Sequence, residues 1–214
     1  MDSRSFDIER QRTHMLYEQQ RQAGAAACVI GVDEVGRGAV AGPLTVAAVV
    51  LPLEPCILGL DDSKKLTAKK RELLTREIRA TAQAIGIAHI QAEIIDVIGM
   101  AAALRAAMIQ AIEACAVEPD LVLIDGRPMR LHEKERSIVK GDSKVACIAA
   151  ASIIAKVTRD ALMVKADEKY PGYGFASNKG YASQRHITSI QEKGLTAFHR
   201  ASFCQNFLQQ QLEL

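Results

Sequence analysis

The sequence predicts an α/β protein with a mixed five-stranded sheet flanked by helices, followed by a C-terminal helical segment. Five short segments are rich in apolar, β-branched residues, which is the composition of buried strands. A helical segment separates strands 28–33 and 121–124, so these two strands are expected to be parallel neighbours. Strand 44–51 follows 28–33 after a short turn and is therefore expected to be its antiparallel neighbour.

The elements are predicted in order from apolar periodicity and from residues that favour the ends of helices. Strands are expected at 28–33, 44–51, 85–93, 121–124 and 137–140. Helices are expected at 1–24, 68–82 with Thr67 as N-cap, 95–117, 145–169 with Asp142 or Ser143 as N-cap, and 196–214. This order divides the chain into an N-terminal helical extension (1–24), a central α/β domain (25–180) and a C-terminal helical segment (181–214).

Composition limits the class of protein without selecting a ligand. The 214 residues are 49% hydrophobic and 24% charged, enough to bury one good core. A net charge of +2 excludes neither a nucleic acid nor a neutral metabolite, so any nucleic-acid surface must be local.

The location of the protein is predicted from its cysteines and its apolar runs. The five cysteines are widely spaced, lack a C-x-x-C motif and lie mostly in apolar runs, which indicates buried thiols in a reducing compartment. The charged N-terminus lacks the apolar core of a signal peptide. The longest uncharged run, 39–53, is broken by Gly42, Pro43 and Pro52 and is shorter than the ~20 residues of a membrane helix. We expect a cytoplasmic monomer that does not contact a membrane.

Acidic residues follow two of the predicted strands. Asp33 and Glu34 end the first strand, and Asp125 ends the fully apolar strand 121–124. Parallel neighbours bring their carboxyl ends to one sheet edge, so these carboxylates are expected to lie side by side. A solvated strand end and an ordinary Asp-Gly turn are the alternative interpretation of the same residues.

The turn after the first strand has unusual backbone freedom. Gly36 and Gly38 can adopt dihedrals that are closed to other residues, and they flank the guanidinium of Arg37. Such a turn can bring backbone N–H groups against an anionic or hydroxyl-bearing ligand. Because Gly36, Gly38 and Ala41 also fit a relaxed dinucleotide-binding fingerprint, a nucleotide-binding oxidoreductase is a rival hypothesis. Gly42-Pro43 argues against it, since the fingerprint needs a helix that opens at the glycines.

Further charged residues lie on other elements. Asp160 is predicted to share one face of helix 145–169 with Lys156, either pointing inward or forming a surface ion pair. Lys140 and Lys144 flank a turn whose exposed amides would suit a phosphate. Ser63 and Lys64 lie in a polar segment that is typical of a solvated turn.

Several of these motifs resemble one known family. Residues 33–43, Asp-Glu-Val-Gly-Arg-Gly-Ala-Val-Ala-Gly-Pro, are similar to the signature of type 2 ribonucleases H, the bacterial ribonuclease HII family. The resemblance continues in order through Asp-Ser-Lys at 62–64, Asp-Gly at 125–126, the helix at 149–160, Lys-Gly-Tyr at 179–181 and the segment 198–203. The chain departs from the family pattern at Val35, Arg127, Ala182 and Ser183.

The resemblance implies a ribonuclease H-like fold and an endonuclease that cuts the RNA strand of RNA–DNA hybrids. It also implies incision at ribonucleotides embedded in duplex DNA, giving 5′-phosphate and 3′-hydroxyl ends, in primer removal and ribonucleotide excision repair. The implied catalytic residues, which would also bind two Mg²⁺ or Mn²⁺ ions, are Asp33, Glu34, Asp125 and Asp160. The implied substrate contacts are Gly36, Arg37, Gly38, Ser63, Lys64, Lys140, Lys144 and Tyr181.

The last four residues suggest a second kind of function. Gln211-Leu212-Glu213-Leu214 faintly resembles a peptide that binds a sliding clamp. Four residues at the end of an amphipathic helix more often serve packing. An interaction module is therefore an alternative to the enzyme, and a weak clamp contact is a possible addition to it.

Overall fold

A computed structural model describes residues 3–23 and 28–209. Their strands form one mixed sheet in the order β3-β2-β1-β4-β5. The strands are β1 (Val29–Val35), β2 (Leu44–Val50), β3 (Ala84–Ile90), β4 (Leu121–Asp125) and β5 (Glu135–Ile138). The helices are α1 (Ser3–Ala23), α2 (Ala68–Thr81), α3 (Ala92–Ala114), α4 (Ala146–Lys169), α5 (Phe175–Asn178), α6 (Gln184–Lys193) and α7 (Ala201–Gln209), with one-turn 3-10 helices at Ser63–Lys65 and Gly141–Ser143.

The centre of the sheet is β1, and its two neighbours run in the predicted directions. It pairs with β2 in antiparallel fashion and with β4 in parallel fashion, both as expected. However, β1 extends to Val35, so Asp33 and Glu34 lie within the strand and not after it. The cause is continued antiparallel pairing with β2, which carries the ladder to Val35 and Thr45.

Helices cover both faces of the sheet. One face, with Val49 and Leu123, packs against α1, α2 and α4, while the other, with Val32 and Val46, packs against α3. Helix α4 lies very close to β1, since a Cβ added to Gly31 would lie 2.3 Å from the backbone carbon of Cys147. Glycine at this position lets the long helix cross directly over the central strand.

A third cluster joins the C-terminal helices to the rest of the molecule. Val40 and Ala41 pack with Met163 of α4, Ile190 of α6 and Cys204 of α7. Side chains from all three predicted parts of the chain share the clusters described above. The division at residues 24 and 180 stays a prediction.

Several predicted elements differ from the observed ones. Strand β5 begins at Glu135 and ends at Ile138, which leaves Lys140 in a left-handed turn (φ 58°). The N-cap of α4 is Val145, because Asp142 and Ser143 belong to the preceding 3-10 helix. Helix α3 is kinked at Gly99 (φ 78°). Thr67 caps α2 as predicted, with its side chain accepting a hydrogen bond from the Lys70 amide.

The C-terminal region also contains more helices than its sequence indicated. Helix α5 occupies a segment for which no helix was predicted. Helix α6 lies in the predicted C-terminal helical segment but precedes the predicted helix 196–214, of which α7 covers part. Gly24 and the segment 211–214 lie outside the described residues.

Two expectations about thiols and membranes can be compared with the same part of the chain. All five cysteines are free thiols, and Cys115, Cys147 and Cys204 are buried. Of the helices within 3–23 and 28–209, none is both long and apolar enough to cross a membrane.

Candidate active site

The carboxylates of β1 and β4 meet at one edge of the sheet. Val32 pairs with Ile124 in the parallel ladder, and the next residues along the two strands are Asp33 and Asp125. The structure therefore brings together the predicted residues Asp33, Glu34 and Asp125.

Backbone amides orient two of these side chains. Oδ1 of Asp33 accepts a hydrogen bond from the Glu34 amide (2.8 Å), and Oδ1 of Asp125 accepts one from the Gly141 amide (2.6 Å). The second bond ties the end of β4 to the 3-10 turn Gly141–Ser143. That turn carries Asp142, which is 7% exposed.

Burial and mutual repulsion disfavour the ionised forms of these carboxyls. Burial raises the pKa of Asp33 well above its usual range, with further raising contributions from Glu34 and Asp125 and an opposing hydrogen bond from Ser152. Burial also raises the pKa of Glu34, while Arg37 opposes the shift. The edge thus concentrates negative charge that the protein compensates only in part.

Asp142 belongs to the same electrostatic group, although the sequence suggested only a helix cap for it. Burial raises the pKa of Asp142, and the charges of Asp125 and Asp62 raise it further, whereas Lys64 lowers it. The signal that could have revealed it is its position directly after the glycine whose amide binds Asp125. The order Lys-Gly-Asp at 140–142 places that glycine and this carboxyl in one tight turn.

Asp160, in contrast, is engaged elsewhere. Its carboxylate forms an ion pair with Lys156 (2.8 Å), and both side chains are mostly buried. Ser152, the α4 residue that bonds Asp33, lies two helical turns earlier, roughly 12 Å along the helix axis at 1.5 Å per residue. The structure thus gives Asp160 the predicted ion pair with Lys156, mostly buried and not on the surface, and places Asp142 in the turn whose Gly141 amide binds Asp125.

The predicted lysine and serine contacts divide into two groups. Lys64 is exposed, and although burial lowers its pKa, the surrounding carboxylates of Asp62, Asp33, Asp142 and Asp125 raise it overall. Ser63 is buried, and its hydroxyl shares a hydrogen bond with the Ser152 hydroxyl (2.9 Å), which ties this side chain to α4.

The two other lysines flank the 3-10 turn that carries Asp142. Lys140 and Lys144 are both exposed. The ammonium of Lys144 donates to the Val139 carbonyl (2.7 Å). Either side chain can therefore reach solvent on the side of the turn away from the core.

The glycine turn lies next to the carboxylates and adjoins the segment of Tyr181. Gly36 has φ 89°, and Arg37 is mostly exposed with a guanidinium nitrogen 3.8 Å from Glu34. Among the described residues, no acceptor pairs with the N–H groups of Arg37 and Gly38. The amides of residues 40 and 41 donate to the carbonyl of Gly180 (2.8 and 3.1 Å), which places the Tyr181 segment beside this turn.

The Tyr181 backbone is itself held from the C-terminal side. His186 bonds the Tyr181 carbonyl through Nδ1 (2.9 Å) and His199 through Nε2 (3.1 Å). Burial lowers the pKa of both histidines, that of His199 to about 4. These rings are therefore neutral, structural groups at neutral pH.

The donor set at the edge suits a hard divalent cation. Carboxylate oxygens are the ligands that Mg²⁺ and Mn²⁺ prefer, and a cation would relieve the repulsion that raises the pKa values of Asp33, Glu34 and Asp142. In the described part of the chain, no three His, Cys, Asp or Glu side chains are already arranged as a metal-binding group. The carboxylates at this edge thus fit a cation by the chemistry of their oxygen donors and by their charge, and not by a preformed set of three ligands.

The fold and the carboxylate edge together define a protein of the ribonuclease H-like class. Ribonuclease H2 from Pyrococcus horikoshii OT3 has a similar structure, with a TM-score of 0.76 and 24% identity, over 87% of this chain and 100% of that one. The family model for ribonuclease HII matches residues 30–206. The chain belongs to the ribonuclease HII family.

Individual relatives agree with this assignment. Ribonuclease HII from Listeria monocytogenes is 49% identical over 82% of this chain and 67% of its own length. The enzyme from Geobacter sulfurreducens is 45% identical over 92% of each chain. A structure described as the PCNA:RNase HII complex from Archaeoglobus fulgidus has a TM-score of 0.68 and 28% identity, over 81% of this chain and 93% of that one.

Family membership establishes the reaction class. The protein is a ribonuclease H, an endonuclease that hydrolyses the RNA strand of RNA–DNA hybrids. The oxidoreductase alternative is wrong on this evidence and on local structure, because the glycine turn leads into β2 and not into a helix.

Proposed function

We propose that the protein also incises duplex DNA on the 5′ side of single embedded ribonucleotides, and that it serves in ribonucleotide excision repair and primer removal. Water bonds to phosphorus as the phosphorus–O3′ bond breaks and O3′ takes up a proton, which gives 5′-phosphate and 3′-hydroxyl ends. The observation that carries the proposal is the position of the carboxylates Asp33, Glu34 and Asp125 beside a glycine turn with unpaired N–H groups.

Asp33, Glu34, Asp125 and Asp142 are the residues proposed to hold Mg²⁺ or Mn²⁺, with Asp142 in the place that the sequence suggested for Asp160. Two ions bound by such carboxylates would supply charge stabilisation for the attacking and leaving oxygens. The protein contributes orientation, since amide hydrogen bonds fix one oxygen each of Asp33 and Asp125. Lys64, whose pKa these neighbouring carboxylates raise, is proposed to contact a substrate phosphate.

Selection of RNA requires a group that senses the 2′-hydroxyl. We assign this to the backbone of Gly36, Arg37 and Gly38, whose middle and last N–H groups are free to bind an oxygen. Tyr181 is exposed and adjoins the same turn, so its ring is available to stack on a sugar. Lys140 and Lys144 are proposed to contact the phosphate backbone further along the duplex.

A sliding clamp is the proposed protein partner. The related Archaeoglobus protein was solved in complex with PCNA, which supports testing a clamp contact here. The candidate residues, 211–214, lie outside the described part of the chain. Deleting them should abolish co-migration with a sliding clamp in gel filtration, and equal co-migration of the full and shortened chains would remove this assignment.

The decisive experiment compares four duplexes of one sequence: all DNA, DNA with one ribonucleotide, an RNA–DNA hybrid and double-stranded RNA. Wild type and Asp125→Asn are assayed with Mg²⁺, with Mn²⁺ and with chelator. Metal-dependent incision 5′ to the single ribonucleotide, absent in the variant and leaving ends that ligase can reseal, is the expected result. Cleavage of the RNA–DNA hybrid without cleavage of the duplex that contains one ribonucleotide would contradict the proposed recognition of a single ribonucleotide.

A further inference from the structure

Two arginines are completely buried beneath the glycine turn. Arg159 of α4 and Arg200, just before α7, each have 0% exposure. Neither takes part in any of the ion pairs formed within residues 3–23 and 28–209. Burial lowers the pKa of both groups, that of Arg200 to about 10. A buried guanidinium is costly unless its donors are satisfied, so their partners are informative.

The donors of Arg159 bind carbonyls of two segments, the one that follows the glycine turn and the one that precedes Tyr181. Nε donates to Pro43 (2.8 Å), Nη2 to Ala41 (3.0 Å) and Nη1 to Lys179 (2.7 Å). The same guanidinium lies 5.7 Å from the ring centre of Tyr181. One side chain therefore ties the glycine-turn segment to the segment that carries the stacking tyrosine.

Arg200 binds carbonyls of the glycine turn itself and of the residues that follow it. Its Nη1 donates to the carbonyls of Arg37 (3.1 Å) and Ala39 (2.7 Å), and Nε and Nη2 both donate to Gly42 (3.0 and 2.9 Å). The Arg37 carbonyl belongs to the peptide whose N–H is that of Gly38, one of the unpaired N–H groups. Fixing this carbonyl fixes the direction in which that N–H points, because the peptide unit is planar.

We propose that Arg159 and Arg200 are positioning residues for ribonucleotide recognition, which set the N–H groups of the 36–38 turn and the Tyr181 ring in one fixed arrangement. The inference rests on the proposed reading of the 2′-hydroxyl by this turn. Gly36 supports it, because a Cβ there would lie 2.2 Å from Nε of Arg159. Lysine could not replace either residue, since one ammonium cannot reach carbonyls that diverge around a planar guanidinium.

The test measures discrimination in a background that binds without cutting. In Asp125→Asn protein, the dissociation constants are measured for a duplex with one ribonucleotide and for the all-DNA duplex of the same sequence. Arg159→Lys and Arg200→Lys should each lower the ratio of the two constants by about tenfold, since small misplacements of recognition groups are costly. Metal affinity, followed by the Mn²⁺-dependent shift in melting temperature in Arg159→Lys and Arg200→Lys proteins that retain Asp125, should not change.

The control is Arg105→Lys, at an exposed arginine. Arg105 also binds two backbone carbonyls, those of Met129 (2.6 Å) and Arg130 (3.0 Å), but it holds a different loop. This variant should keep the discrimination ratio of its parent. An equal loss in Arg105→Lys would show a general loosening of the protein and would overturn the positioning role.

Hydrogen exchange provides a second readout that needs no substrate. In free protein, Arg159→Lys should accelerate exchange of the amides in 36–43 and 179–181 together, while the strands of the sheet exchange as in wild type. Unchanged exchange in both segments, with discrimination retained, would overturn the inference and leave the proposed function intact. A parent protein that does not discriminate the two duplexes would instead overturn the proposed function.

Discussion

The molecule contains two regions of buried charge on either side of α4, and they are treated in opposite ways. At the sheet edge, Asp33, Glu34 and Asp142 have raised pKa values because burial and neighbouring carboxylates oppose ionisation. Under the glycine turn, Arg159 and Arg200 are equally buried, yet their guanidinium groups donate to several carbonyls each. The carboxylates of the sheet edge are left for a ligand to neutralise, whereas the arginines under the glycine turn find their hydrogen-bond partners within the protein.

The difference indicates which buried charges serve chemistry and which serve structure. A cation stabilises carboxylates that repel one another. The unfavourable free energy of this repulsion in the free protein is therefore relieved when the cation binds. A guanidinium whose donors are all hydrogen-bonded is not stabilised further by a ligand, but its removal leaves buried carbonyls without hydrogen-bond donors. Substitutions in the two regions should therefore separate activity from stability.

Glu34→Gln should have the largest effect, on activity. Loss of one proposed metal ligand is expected to lower kcat about 10³-fold or more while the fold is retained. The matched control is Glu118→Gln, which removes a largely exposed carboxylate paired with Lys134. Steady-state cleavage of a duplex with one ribonucleotide measures both, and retained activity in Glu34→Gln would remove this residue from the site.

Arg200→Ala should have the next largest effect, on stability. The loss of four hydrogen bonds and of a buried side chain is expected to lower the free energy of unfolding by about 3 kcal/mol. Arg37→Ala, which truncates the mostly exposed arginine of the turn itself, should change stability by less than about 0.5 kcal/mol. Urea denaturation measures both changes. Equal losses of unfolding free energy in the two variants would mean that the buried guanidinium of Arg200 stabilises the fold no more than the exposed one of Arg37.

Asp142→Asn and Asp160→Asn form a pair that tests the assignment of the fourth carboxylate. Asp142→Asn should lower kcat/KM by about 10- to 100-fold, because it weakens the proposed metal site. Asp160→Asn should change kcat/KM by less than about threefold, since this carboxylate is engaged with Lys156. The reverse order of effects would restore Asp160 to the place that the sequence suggested.

The smallest change in stability is expected for Asp33→Asn, and this change should be stabilising. Because the folded-state pKa of Asp33 lies above its unfolded value, the protonated carboxyl favours folding below the unfolded pKa, and this contribution is lost as pH rises through the folded pKa. Metal-free Asp33→Asn is therefore expected to exceed wild type by about 1 kcal/mol in unfolding free energy at pH 7. The difference should shrink in denaturation measured below pH 4, and a destabilised variant at pH 7 would contradict the repulsion described here.

The sequence predicts the sheet edge well, because its signals are local. The apolar run of β4 and the short turn between β1 and β2 determine neighbours and direction, and hence the meeting of Asp33 with Asp125. The assignment of the fourth carboxylate needed the fold. Helical spacing left Asp160 either facing inward or in an ion pair, and the resemblance gave it the role of fourth carboxylate. Neither could show that the turn at Gly141 folds back onto Asp125.

Buried arginines are the part that periodicity cannot reveal. Arg159 adjoins Asp160 in the sequence and Arg200 adjoins His199, and an arginine among such residues is normally exposed. Their partners are carbonyls from residues 37–43 and 179, which are distant in the chain. Only tertiary contact identifies these donors as internal.

The pairing pattern of the sheet has a consequence for the order of folding. Strands β1, β2 and β3 form an antiparallel meander with α2 between β2 and β3, whereas β4 reaches β1 only when Val29 meets Leu121 across β2, α2, β3 and α3. Closing so long a loop is entropically slow, so we expect the meander to precede the docking of β4 in the folding transition. The two halves of the catalytic carboxylate set would then meet only near the end of the pathway, and substitutions there should alter the unfolding rate more than the folding rate.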